Sequence, residues 1–438
     1  MTAPDASNTT DAPVAIIGAG WAGLACALKL ARAGYQPVVY ESAPEAGGRA
    51  RRARLEHAWR DSGQHLMLAG CRSLEQLLQE IGVRLPIAPF AYTDGTHAFS
   101  LVEQSGRRGM INALLGMRGY SWAERSRMVA ALAMMQLQRW SAPEAQTVAD
   151  WLRQQKQPSA LIDYFWEPLA LAILNTPIEQ AAMARLMAVL RDTLGASCEA
   201  LAILQPTINL SESVVVPLVR AIEDAGGRVL CGRRITAVRP SDDGRYAVAL
   251  RHTADTPSFK RIVLTLPPWA LSNVDLPFST TALATRFGAQ PIATVYLGFD
   301  ADQQLPAPLV QLAGPTDVDA RIWAMDRAHC GEPGVITISL SANGPWTQLD
   351  HETLVARCLR NLHAVTGLPA TCHWQRVVSV KCATPGATPA AHLQPHERRP
   401  LPGMWLAGDW THPHYPATLE AAVQSGVTAA EEIIRHRA

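Results

Sequence analysis

The residue types most suited to chemistry open with Gly18-Ala-Gly20-Trp21-Ala22-Gly23, a G-x-G-x-x-G turn. It lies between the apolar run Val14-Ala-Ile-Ile17 and a stretch with helical spacing at Leu24, Ala27, Leu28 and Ala31. Glycine permits a tight turn at Gly18, lets a pyrophosphate approach the backbone at Gly20, and lets helix and strand lie close at Gly23. The helix start, with Trp21 and Ala22 in its first turn, offers N–H groups and a positive dipole end to phosphate. Glu41 follows Gly23 by 18 residues, at the end of Pro37-Val-Val-Tyr40, where a carboxylate can accept from a ribose hydroxyl. Gly47-Gly48-Arg49 adds a second close backbone and a guanidinium for phosphate. Near the other end of the chain, Gly408-Asp409 offers a carboxylate to a polyol hydroxyl, and Thr418 starts a second helix whose positive end can face the same ligand. Together these make a dinucleotide site assembled from both ends of the sequence.

Two further clusters invite a reading. Asp61 and His65 flank Gly63 and Gln64 and can act as an acid and its partner. The alternative for them is structural, with Asp61 capping a turn and His65 bonding a backbone carbonyl. His412-Pro-His414 has the spacing of two metal ligands, but no third ligand cluster lies nearby and no metal is expected.

The elements that must position these residues follow the hydrophobic pattern. The β-α-β unit occupies the start, and residues 75–205 read as mainly helical, most clearly Arg125 to Trp140 and Leu161 to Leu174. Helix Val214 to Ala225 precedes strands at Arg228–Cys231, Ile235–Val238, Tyr246–Leu250 and Arg261–Leu266, the last stopped by Pro267-Pro268. A mixed region from Ala270 to about Lys381 carries strands at Ile292–Phe299, Arg321–Ala324 and Val335–Leu340, then a helix at Glu352–Val365. Five prolines between Pro385 and Pro402 make an extended return to strand Met404–Leu406 and helix Thr418–Ile434. The expected fold is therefore α/β: a Rossmann-like domain interleaved with a mixed α+β substrate domain. Its boundaries are a flexible tail at 1–12, cofactor segments at 13–80, 205–269 and 395–438, and substrate segments at 81–204 and 270–394.

Composition narrows the partners. The 438 residues carry 39 basic and 38 acidic side chains, a net charge of +1, which argues against nucleic acid as a partner. Hydrophobic content of 48% excludes disorder for the bulk. Only Lys29, Lys156, Lys260 and Lys381 are lysines, leaving few candidates for lysine chemistry. Eight scattered cysteines without a C-x-x-C pair suit a reducing, cytoplasmic setting. No apolar run is long enough to span a membrane.

The set Gly18–Gly23, Glu41, Gly47–Arg49 and Gly408-Asp409 resembles the flavin amine oxidase and phytoene desaturase superfamily, with a GR2-type FAD-binding domain. Within it, Asp61-Ser-Gly-Gln-His65, Trp166-Glu-Pro-Leu169 with Asn175-Thr-Pro177, and Gly408-Asp-Trp-Thr411 with Pro416-Ala-Thr-Leu-Glu420 resemble hydroxysqualene dehydroxylases, across essentially the whole chain after the tail. Ser62 departs from the asparagine usual there. The resemblance implies FAD as cofactor, Ile235 and Val238 beside the adenine, and the 61–65 segment beside the flavin ring. It implies reductive dehydroxylation of hydroxysqualene to squalene, with hydride from reduced flavin passing to an allylic cation. An electron donor, NAD(P)H-linked or otherwise, must then restore the flavin. A lipid substrate further implies peripheral contact with a membrane surface, for which the amphipathic stretch Arg125 to Trp140 is the candidate. His65 is the favoured proton donor, since imidazole becomes cationic at modest cost, with Asp61 orienting or charging it. Tyr164, Phe165 and Trp166 are either ring faces for a cation or core. The strand position where amine oxidases carry lysine reads Ala293 here, which lowers the amine-oxidase reading. A carotenoid-type desaturase or amine oxidase remains the alternative enzyme, and a flavin-free prenyl-binding protein of the same fold the non-enzymatic one.

Overall fold

The computed structural model describes residues 13–102, 104–312, 322–391 and 394–436; the tail expected at 1–12 lies outside them. Five parallel strands form one sheet in the order Arg228–Leu230, Gln36–Tyr40, Pro13–Ile17, Arg261–Leu264, Met404–Leu406. The apolar run at 14–17 is continuous because both faces of a parallel sheet are covered. Val14 and Ile16 join one core cluster with the helices, while Ala15 and Ile17 join a second with Tyr40 and Leu264. The chain leaves Pro13–Ile17 for a neighbour on one side and returns much later on the other. The carboxyl end of that strand is thus a topological switch point, where such sheets bind ligands.

Helices Trp21–Arg32 and Leu419–Arg435 pack together on one face of this sheet. Their approach depends on Gly426, where a Cβ would stand 2.0 Å from the Ala22 carbonyl oxygen. Beside the parallel sheet lies a three-stranded antiparallel one, Ile235–Pro240, Tyr246–Leu250 and Ser258–Phe259.

The second large sheet has seven strands in the order Trp374–Thr384, Gln290–Gly298, Val335–Ser341, Ile322–Asp326, Leu309–Leu312, Ala91–Thr93, Ala98–Ser100. Three departures from the sequence expectation occur here. The largely helical stretch 75–205 also donates the hairpin 91–100 to this sheet, and Ile203–Leu204 pairs with Ile87–Ala88. These strands are two or three residues long, too short to show a period. Trp374–Thr384 is an edge strand whose side chains are largely exposed or half-buried, so it lacks the apolar alternation that marked its neighbour. Two helices begin with π-helical turns, Ile162–Trp166 and Ser211–Val215, each just ahead of a proline whose missing N–H cannot continue the regular ladder.

The stretch expected to be amphipathic is helix Trp122–Leu137, fixed at its start by a capping box between Ser121 and Glu124. It ends before Arg139 and Trp140, both at positive φ. Its stripe of Met128, Ala131 and Met135 packs into the helical core and is therefore unavailable to lipid. Trp166 and Phe165 lie in that same core, with the Trp166 indole donating to Gln157 at 2.9 Å. Tyr164 stacks on His97 at 4.4 Å. Asn175, from the Asn-Thr-Pro motif, joins this helical layer to the sheet. Its amide donates to Thr384 at 2.8 Å and accepts from the Ala342 N–H at 2.5 Å.

Candidate active site

The switch-point loop is built by close backbone approach. A Cβ at Gly23 would stand 2.0 Å from the Gly18 carbonyl oxygen, so only glycine lets the helix start this near the strand. Gly18 donates its N–H to Tyr40, and Gly47 donates to the Ala19 carbonyl, both at 2.8 Å. A Cβ at Gly48 would lie 2.9 Å from the Gly20 Cα, which brings the two glycine turns into contact. Around Gly20 itself the nearest atom to a built Cβ is 3.9 Å away, so this corner of the loop is an open cradle.

Glu41 stands at the end of its strand and accepts the N–H groups of Ala19 and Ala43, each at 2.8 Å. Carboxylate oxygens retain further lone pairs for a ribose hydroxyl. Trp21 is buried with its indole in the helix core, which leaves its backbone N–H and not its ring as the group available to a phosphate; Ala22 packs likewise. Ile235 and Val238 are buried together with Tyr40 beside the sheet. Arg49 and Asp409, 360 residues apart in sequence, form an ion pair at 2.6 Å, and Arg49 also donates to the Ala383 carbonyl. Gly408 donates its N–H to Ser425, in the C-terminal helix. The Thr418 hydroxyl caps that helix, accepting from Ala421 at 3.2 Å and donating to Pro416. The Thr418 oxygen is thus already engaged, and what it leaves for a ligand is the helix end it fixes.

This cradle fits a flavin adenine dinucleotide: the backbone left open at Gly20 would meet the pyrophosphate, Glu41 a ribose, and Arg49 with Asp409 the remaining polar groups. The fold and site are those of a dinucleotide-dependent oxidoreductase. The family model for flavin containing amine oxidoreductases matches residues 21–434, and the chain belongs to that family as an FAD-dependent oxidoreductase. It is 26% identical over 446 residues to a hydroxysqualene dehydroxylase of Rhodopseudomonas palustris, covering 96% of this chain and 98% of the relative. A 15-cis-phytoene desaturase of Capsicum annuum is 22% identical, covering 96% and 78%. Wild-type putrescine oxidase bound to putrescine superposes with a TM-score of 0.74 at 16% identity, covering 97% of this chain and 99% of that one.

Beside the cradle the segment 61–65 meets the large sheet and a cavity of ≈390 Å³. That volume falls within the usual range for small-molecule sites. Asp61, Gln64, His65, Arg327 and His329 are among its polar lining residues, and Leu66, Ile203, Leu204, Leu305, Leu309 and Met325 among its apolar ones. Asp61 does not grip His65. One carboxylate oxygen accepts the Leu210 N–H at 2.7 Å, the other faces Arg327 at 3.4 Å, and the Asp61 carbonyl accepts the Tyr296 hydroxyl at 2.6 Å. The His65 ring lies near the Arg49 backbone, which favours its charged form. Burial pushes its pKa below the usual imidazole value; Asp61 pulls it up by charge alone, while Arg49 adds to the fall. The modest cost expected for a cationic His65 is thus raised by burial.

Gly63 lies beside Thr294, whose hydroxyl would be 3.8 Å from a Cβ there. Alternation along Gln290–Gly298 places Thr294 and Tyr296 toward this segment, while Ala293 points into the opposite core with Leu354 and Cys358. The position expected at Ala293 is therefore displaced by one residue, and the side chain facing Gly63 is Thr294. Arg327, Tyr296, His329 and Cys330 were not singled out in sequence, because they belong to no spaced motif. His412 accepts the Tyr415 N–H at 2.8 Å, and burial, reinforced by His414, pulls its pKa down to about 4. It therefore acts as a neutral turn acceptor.

Proposed function

We propose that the chain catalyses reductive dehydroxylation of a long isoprenoid alcohol, hydroxysqualene to squalene. The observation that carries this reading is a cavity lined both by a cluster of polar groups, in which Arg327 meets Asp61 and Gln64 beside His65, and by apolar side chains such as Leu66, Ile203, Leu305 and Met325. It suits one oxygen on a hydrocarbon better than a hydrocarbon alone, which favours dehydroxylation over desaturation. The C–O bond breaks, a C–H bond forms, and oxygen leaves as water with one added proton. Reduced FAD, when bound, supplies the two electrons and the hydrogen as hydride and ends oxidised. The protein's part is to hold the oxygen, deliver a proton to it and exclude bulk water. His65 is assigned the proton and Asp61 the field that favours a charged ring. Photoreduced holoenzyme mixed with hydroxysqualene without oxygen should yield squalene and oxidised flavin in equal amounts; flavin that stays reduced with the alcohol unchanged would sink this reading.

Such a substrate lives in membranes, and peripheral attachment on the cytoplasmic face is part of the proposal. No described helix is long and apolar enough to cross a bilayer. Trp122 and Leu137, at the two ends of one helix, are 71% and 76% exposed. Fifteen residues at about 100° each leave them roughly 60° apart around the axis, on the side away from Met128. The Arg125 guanidinium lies 5.1 Å from the Trp122 ring, the pairing of aromatic and basic groups that suits an anionic interface. Holoenzyme should float with anionic liposomes, and Trp122→Ser with Leu137→Ser should reduce the floated fraction several-fold. Equal flotation of both proteins would remove this surface from the proposal.

A further inference from the structure

Several of the polar groups that line the cavity already have partners. Asp61 is engaged through both carboxylate oxygens and its carbonyl. Asp326 accepts from Leu305 and Ala328, and the Cys330 thiol donates to the Pro206 carbonyl. The guanidinium of Arg327 is only partly engaged. Its Nε donates to Glu332 at 2.6 Å, and its Nη1 is shared between Gln64 at 3.2 Å and Asp61 at 3.4 Å. The Tyr296 ring centroid lies 5.7 Å from its Cζ. Its Nη2 makes no hydrogen bond among the described residues.

A guanidinium that is only 1% exposed yet lines a cavity needs balancing charge and a use for its remaining donors. The charge is balanced in a buried chain: Arg60 meets Glu332 at 2.5 Å, Glu332 meets Arg327, and Arg327 meets Asp61. The Trp374 ring, 4.7 Å from Arg60, closes the far end. Bracing on several sides fixes the direction of Nη2, so no reorganisation is needed when an acceptor arrives.

We infer that Arg327 is a substrate-binding residue whose Nη2 grips the oxygen of the alcohol, and that Asp61 and Glu332 are positioning residues that hold it in place. The inference rests on the alcohol reading above and names the group that recognises it. Arginine keeps its proton at any working pH, so it stabilises charge growing on the departing oxygen while the proton itself comes from elsewhere. It also gives the site a basis for telling the alcohol from the hydrocarbon, because a bound hydrocarbon leaves a buried donor without a partner.

Absorbance titration of the oxidised holoenzyme with hydroxysqualene and with squalene, in one detergent, measures both affinities. Wild type should bind the alcohol more tightly. Arg327→Lys keeps the charge beside Glu332 but loses the second donor arm. It should weaken alcohol binding by about 10- to 100-fold, the range for a hydrogen bond to a charged group, and change squalene binding far less. Discrimination retained in the lysine variant overturns the inference alone; wild type that does not distinguish the two ligands overturns the alcohol reading with it. Should the variant lose its flavin, wild type decides. Its alcohol-to-hydrocarbon affinity ratio should hold constant from about pH 6 to about pH 9, where arginine does not titrate. The titratable neighbours are Asp61, Tyr296, Cys330 and Glu332 around the guanidinium, with His65, Asp326 and His329 on the adjoining walls. A ratio that collapses across that range assigns recognition to one of them and overturns the inference.

Discussion

Gly20→Val should purify as a folded, colourless protein. No protein atom lies closer than 3.9 Å to a Cβ at this position, and its φ of −75° is ordinary for any residue, so the fold can carry a side chain there. The space the side chain would enter is the mouth between the two glycine turns, where the pyrophosphate must touch the backbone. Steric exclusion of the phosphates should cost the cofactor nearly all its affinity, with little change in the melting temperature of apoprotein. Gly23→Val is the instructive contrast. Its Cβ would press on the Gly18 carbonyl at 2.0 Å, so that substitution should damage the fold itself and lower the melting temperature of apoprotein. Flavin absorbance per polypeptide and thermal melting of the two apoproteins separate these outcomes. Gly20→Val carrying a full complement of flavin would show that the cofactor does not cross this turn.

The cofactor half of the protein was legible because its constraints are local. A glycine turn, a strand end and a helix start lie within a few residues of each other, and each requirement leaves a mark on residue type: Gly23 for close approach, Glu41 at the end of its strand, Thr418 at the helix cap. The parallel sheet was legible for a related reason, since burial on both faces yields runs such as Val14–Ile17 that no solvent-facing strand would have. The substrate half obeys constraints that are distributed over the chain. Arg327 reaches its role only because residues near 61, 296 and 332 converge on it in space, and no spacing in the sequence encodes that meeting. The edge strand Trp374–Thr384 was illegible because half-exposed side chains need no apolar alternation. Helix Trp122–Leu137 shows the opposite error: an amphipathic stripe says that one face is covered, and here the cover is the protein's own core. The misplacement at Ala293 came from a single residue of register, which along a strand reverses the face.

His65→Ala should retain FAD and lose about 10²- to 10⁴-fold in turnover of hydroxysqualene, the usual worth of a positioned general acid. The structure sharpens how this would appear against pH. Burial holds the His65 pKa below the ordinary imidazole range, with Asp61 opposing that fall. The neutral ring predominates near neutrality, and the protonated form that can donate grows as pH falls. The rate of the anaerobic half-reaction should therefore rise toward acid pH and level off below an apparent pKa that lies under about 6.5. Asp61→Asn removes the negative charge that favours the imidazolium, so the same profile should move further toward acid. The acid limb should vanish in His65→Ala. Asparagine at 61 also weakens the hold on Arg327, so this variant should lose alcohol affinity as well as rate, whereas His65→Ala should leave affinity largely intact. An acetate ester of the substrate, whose leaving group needs less help from a proton, should recover much of the His65→Ala deficit and little of the Arg327→Lys deficit. A wild-type rate in His65→Ala, with its acid limb unchanged, would move the proton to another group on the cavity wall, His329 being the imidazole placed there to take it.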